Sequence, residues 1–534
     1  MARKLWPLLI AFAACAACDD SSDTPAVDAA AVRDQGRIGD AERLDQGADR
    51  PDVAVLDAAP RTDSAPPVDD DATVSADFGP GPELVHDIVT PGTPPDAPDR
   101  FSGVPEEQCD PGPTLIYPEP GTVFPRNIEG VELQWNAIGS VHLVRMQAGD
   151  LTVRWFTADD HLVPEGDLWL ALKEAAVREG PITMHLVTLQ PGRACATPPI
   201  DLVIDRTELK GAVYYWSTGD VGIMRLAQGD TAPEPFLNPQ TAPLINCPAC
   251  HALSRDGNRI AYTRTSFPPF GDMAAGNVED PTTFLYDPTG VVGYFPSFAP
   301  DSDRVVAGNG GQLVIRSVDT GEQLGALPLP MMTVAGSPDW SWQGDRIAAA
   351  LGPAGLFNPI PDVGISSGDI AQWHLVDDEW AMPEVLVEAG NDEWFDRPAY
   401  SPDGFYIAFN RIGPDPDAGQ EERDNINPNS DLWILPAAGG NPVPLAHANQ
   451  AALLGNSWPK WAVPTNRAGG RLWLAFSSLR RYGRHTGGDR PQIWITGVNP
   501  ELAGEDPSAP AFWLPYQNTN SGNHIPYWAE FEKE

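Results

Sequence analysis

Pro398-Ala399-Tyr400-Ser401-Pro402-Asp403-Gly404, followed by the β-prone run 406–409, is the stretch that decides the fold of this 534-residue chain. Asp-Gly suits a tight turn because glycine tolerates positive φ, and here it joins two apolar stretches. The same pattern returns along the chain: a proline, one variable residue, an aromatic, a turn, then a β-run. Pro296-Ser297-Phe298 precedes 304–306, Pro338-Asp339-Trp340 precedes 346–349, and Pro459-Lys460-Trp461 precedes 472–476. Pro526-Tyr527-Trp528 stands near the C-terminus. His251-Ala252-Leu253-Ser254-Arg255-Asp256-Gly257 opens the series, with histidine in the place of proline. Such self-similarity marks an architecture in which each copy is one supersecondary unit.

The repeat resembles that of TolB-type six-bladed β-propellers, over residues 211–534. The resemblance implies an all-β fold and a protein-interaction scaffold in the cell envelope. The copy at Pro526 has no room after it for a full blade, whereas 213–216 and 222–226 are β-like without the motif. The two ends are therefore expected to complete one blade together, leaving no open edge. Insertions at 266–281, 352–368, 413–430 and 479–491 are expected to rim the face where the inner strands begin. Loops grouped on one face of a rigid scaffold usually mark the binding face.

Outward from the repeat, 101–207 reads as a small β-sandwich with Trp135 as core aromatic and a helix near 168–177. It resembles immunoglobulin or fibronectin-III modules. Cys109 and Cys195 are expected to close it with a disulfide. Residues 19–100 are rich in Asp, Ala and Pro without apolar periodicity, which reads as a disordered tether. At the N-terminus, Arg3 and Lys4 precede the apolar run 5–14 and Ala16-Ala17-Cys18. This resembles a lipobox, with residues 1–18 as signal peptide and Cys18 as the lipidated residue. Cys15 is the second candidate, and an ordinary secretory signal is the alternative. The expected location is the envelope, periplasmic or at the outer membrane or cell surface, with the lipid as the only membrane contact. A net charge of −40 argues against nucleic acid, whose phosphates need clustered Lys and Arg.

Cys247-Pro248-Ala249-Cys250-His251 is the one motif that carries chemistry. In an exported protein it reads as a c-type haem attachment site: two thiols for the vinyl groups and His251 as axial ligand to iron. A local Cys247–Cys250 disulfide and a zinc site lacking a further ligand are the alternatives. Aligning the copies puts His524 level with Ala249, so His524 is expected as the opposite axial ligand, both rings pointing into one channel mouth. Met273 and His485 are the reserve ligands. Met331-Met332 reads as core, and His142 and His185 as ordinary packed or surface residues. An acidic insertion at 415–431 reads as a solvated loop, with calcium as the alternative. No His-Glu-x-x-His pair or phosphate-cradling loop occurs, so no catalytic residue is expected. Two functions follow: a haem-bearing electron carrier with a redox partner, or a haem-free scaffold for an envelope protein. A hydrolase is the third.

Overall fold

A computed structural model describes residues 84–531 except 137, 241–247, 265–271, 355–367, 391–392, 414–426, 465–469, 487, 489 and 503. The signal peptide, both N-terminal cysteines, Cys247 and most of the tether thus lie outside the described residues, as do most of the insertions 352–368 and 413–430.

Six sheets follow the six sequence copies, each built of antiparallel strands running outward from an inner strand. The inner strands are Ala249–Leu253, Tyr294–Phe298, Thr333–Trp340, Trp394–Tyr400, Ser457–Trp461 and Asn523–Ala529, which we number blades 1 to 6. Consecutive inner strands neighbour one another, and the last neighbours the first, so the ring is closed. Closure follows the sequence expectation. Asn523–Ala529 pairs with Ala212–Ser217, which pairs with Gly222–Ala227 and then Glu234–Leu237, so the first and last segments of the propeller build blade 6. This is a six-bladed β-propeller.

The turn chemistry explains why the motif makes a blade. In blade 4 the Ser401 hydroxyl donates to Asp403 at 2.5 Å and accepts the Tyr406 amide at 3.0 Å. Blade 1 repeats this: Ser254 Oγ donates to Asp256 at 2.5 Å and accepts the Arg259 amide at 2.9 Å. A serine hydroxyl thus satisfies the first amide of the second strand, and the Asp carboxylate fixes the hydroxyl. Gly404 has φ +76°, the left-handed region where a side chain is strained. The motif aromatics Phe298, Trp340, Tyr400, Trp461 and Trp528 are all buried. The Trp461 indole donates to the Ala399 carbonyl of the preceding blade at 2.9 Å.

Proline inside a strand removes a ladder donor and belongs at a bulge. Every inner strand carries a bulge at the proline position. In blade 4, Asp396 faces Asn410 and Ala399 faces Ala408, so Arg397 and Pro398 together oppose one residue. The register shifts in the same way at Cys250-His251, Phe295-Pro296, Ser337-Pro338, Trp458-Pro459 and Ile525-Pro526. The six residues before the proline position have φ between +46° and +58°. Such conformations cost about 1–3 kcal/mol each and persist only where the surroundings over-determine them.

The N-terminal domain is a two-sheet β unit, with the helix Gly166–Glu179 where the sequence places one. Trp169 and Leu172 bury its inner face, and Trp135 is 1% exposed. Three strand pairs are parallel, Leu84–Val89 with Leu151–Thr157, Val123–Pro125 with Ile200–Asp205, and Glu106–Glu107 with Arg193–Ala196. Cys109 and Cys195 form a disulfide with Cα atoms 5.3 Å apart. The expected tether boundary near residue 100 is corrected. Leu84–Val89 is a sheet strand and Ala97–Phe101 a helix, because 84–89 is a β-prone run whose Asp87 pairs with Arg154 at 2.6 Å. The proline- and aspartate-rich surroundings hide that run.

Candidate functional site at the channel mouth

Antiparallel order puts the starts of the inner strands on the same face as the connections between second and third strands. There the bulges present two layers of side chains to the channel. The cavity at the mouth is lined by Cys250, Phe295, Ser337, Arg397, Trp458 and Ile525, with His251 and four of the prolines beneath. Its volume is about 30 Å³. The mouth is capped by a stack: the Arg397 guanidinium lies 3.4 Å from the Trp458 ring centroid and 4.9 Å from that of Phe295. Arg397 also donates to Ser337 Oγ at 3.0 Å and pairs with Asp396 at 3.4 Å.

One residue beyond the proline position, Ser297, Asp339, Lys460 and Tyr527 of blades 2, 3, 5 and 6 form a polar plug. The Lys460 ammonium sits 2.9 Å from Asp339 and 5.1 Å from the Tyr527 ring centroid. The other Asp339 oxygen accepts the Tyr400 amide at 2.9 Å. Burial works against the charge on Lys460, but the Asp339 carboxylate and Tyr527 together outweigh it and raise the pKa above the ordinary lysine value. At the far exit Arg255 of blade 1 reaches across to the Trp340 and Ser341 carbonyls of blade 3 and lies 4.6 Å from the Trp342 ring centroid. The channel is closed by paired side chains along its length.

His251 lines the mouth cavity, and its ring is buried. Burial pushes it down to about 4. His524 does not share that cavity. It lies edge-on to Trp216, 5.3 Å between centroids, and Trp216 donates to the Pro248 carbonyl at 2.9 Å. Burial, then the nearby His251 and Arg397, push His524 down to about 3. The expected axial pair is therefore corrected: the bulge breaks strand alternation, so His524, two residues before the proline position, turns between strands while His251 faces the channel. A macrocycle needs a pocket on the order of 300–1,000 Å³. The described residues at the mouth leave a tenth of that, and they do not fit a haem between His251 and His524.

The reserve ligands are corrected as well. Met273 opens the strand Met273–Asn277 and is 1% exposed, so it is core rather than rim; Asp280–Phe284 is also a strand. His485 pairs with Glu132 of the N-terminal domain at 2.9 Å. It belongs to the insertion 479–491, which docks that domain: Tyr482 stacks on Trp513 at 3.9 Å and meets Tyr117 edge-on at 5.1 Å. Met331 and Met332, expected in the core, are 93% and 68% exposed on the connection into blade 3. His142 is a packed residue donating to or accepting from Thr188 at 2.8 Å, and His185 is half-buried. The sequence reading overlooked the residue before each proline and the Asp339–Lys460 pair. Opposite charges at the variable position of two copies were the available signal.

No family model matches the sequence, and no curated protein matches it. Among solved structures the chain is similar to TolB from Acinetobacter baumannii, at 13% identity over 66% of this chain and 80% of that one, TM-score 0.39. It is similar to an oligogalacturonate lyase in complex with manganese, at 17% identity over 47% of this chain and 61% of that one, TM-score 0.32. A nidogen/laminin complex gives 10% identity over 59% of this chain and 97% of that one, TM-score 0.37. The chain thus spans about three-fifths of the lyase it matches. Among the described residues no helix is long and apolar enough to cross a membrane, and no group of three or more metal-ligating side chains occurs.

Proposed function

We propose that this protein is an envelope scaffold that binds a protein partner on the channel-mouth face of its propeller. The observation that carries the reading is that this face joins a closed channel to exposed apolar side chains. Met331, Met332 and Leu453 sit on connections between an outer strand and the next inner strand, at 93%, 68% and 60% exposure. Methionine is unbranched and polarisable and adapts to a partner surface. Arg3, Lys4, the apolar run and Ala16-Ala17-Cys18 support export and a lipid anchor at Cys18 in this reading. The chain carries no haem and no electron-transfer role in it.

Photo-cross-linking in intact envelopes tests the proposal. A photoreactive residue at Met332 or Leu453 should give one discrete cross-linked partner. The same residue at Phe405, exposed on the opposite face in a turn of blade 4, should give none. Equal cross-linking from both faces, or none from the mouth face, overturns it.

A further inference from the structure

Where the N-terminal domain meets blade 6, a cleft of about 310 Å³ opens that the scaffold role does not use. We propose that this cleft binds a small organic cation, an ammonium group carried on an apolar body. Its walls are aliphatic and aromatic: Leu209, Leu226, Tyr516 and Trp528 line it. Its charged lining residues are Glu129, Glu165 and Asp230, and no lysine or arginine lines it. Ligand sites favour domain junctions with mostly apolar walls and a few convergent polar groups.

The three carboxylates are not equivalent. Glu129 is neutralised by Lys173 at 2.5 Å, and an Asp230 oxygen accepts the Ala227 amide at 3.0 Å. Glu165 is exposed and makes no ion pair with any described residue. Burial, then Glu165 and Glu129 nearby, hold the Tyr516 phenol proton on above its ordinary range. The ring is fixed in place by a close approach. Gly130 has φ +69°, and a Cβ there would lie 2.4 Å from the Tyr516 ring. Trp528 is held by its indole donating to the Lys210 carbonyl at 2.5 Å. Two anchored aromatic rings and one unpaired carboxylate at a single apolar cleft are complementary to an ammonium cation, through ring quadrupole and charge together.

Titration of the exported chain with choline and with its neutral isostere 3,3-dimethylbutan-1-ol tests the proposal, followed by calorimetry. The two probes differ only in the charged centre. Choline is expected to bind about 5- to 30-fold more tightly than the alcohol, the range a desolvated cation–π contact with charge assistance gives. Glu165→Gln, at an exposed position, should weaken choline about 3- to 10-fold and leave the alcohol unchanged. Tyr516→Leu should weaken choline in the same way. Equal affinity for both probes, no saturable binding, or choline binding unmoved by both substitutions overturns it.

Discussion

The ammonium of Lys460, on the inner strand of blade 5, lies 2.9 Å from a carboxylate oxygen of Asp339, on the inner strand of blade 3. The pair crosses the channel between blades that are not neighbours. Removing one partner leaves the other charge poorly solvated. Asp339→Ala should therefore destabilise the propeller by about 2–4 kcal/mol, discounted because a fifth of the Lys460 side chain stays exposed. Adding Lys460→Met should restore part of that loss. Urea unfolding of the two variants checks it: a double variant no more stable than Asp339→Ala alone would show the pair to be unimportant.

Stability should fall on acidification across a defined window. His251 is held down to about 4 and His142 to about 4, both chiefly by burial. In the unfolded chain an imidazole titrates near 6.5, so between about pH 6.5 and 4 the unfolded state binds protons that the folded state refuses. The stabilisation is complete above the unfolded value and is lost as pH drops through the window. For His251 alone the loss is on the order of 3 kcal/mol. Urea midpoints measured from pH 7 to 4 should fall steeply for the wild type and less steeply for His251→Gln.

Tyr482 ties the two folded parts together through its stack on Trp513 and its edge contact with Tyr117. Tyr482→Ala should cost about 3–5 kcal/mol of coupled stability, as for other buried aromatics truncated to alanine. Calorimetry should then resolve two unfolding transitions where the wild type gives one. Proteolysis in the link around residues 206–211 should also quicken. A single unshifted transition would deny the clasp its role.

Chain matured together with a haem-attachment system should show no Soret band and no added haem mass. The reason is the capped mouth, where Arg397, Trp458 and Phe295 leave about 30 Å³ beside His251. A Soret band of stoichiometric intensity would require this cap to open and would restore the electron-carrier reading.

The sequence by itself determined the blades and their turns. Ser401, Asp403 and Gly404 settle their geometry within a few residues, so the repeat could be read locally. Ring closure was legible too, because the last copy lacked a blade and the first segment lacked an inner strand. Only the tertiary structure decided what the channel contains. The bulge at each proline position breaks the two-residue alternation, so counting along the strand assigned His524 to the wrong side. Lys460 meets Asp339 across 121 residues of chain, and Arg397 meets both Trp458 and Phe295. Those contacts depend on how six strands tilt around one axis, a long-range geometry that no spacing within a copy encodes.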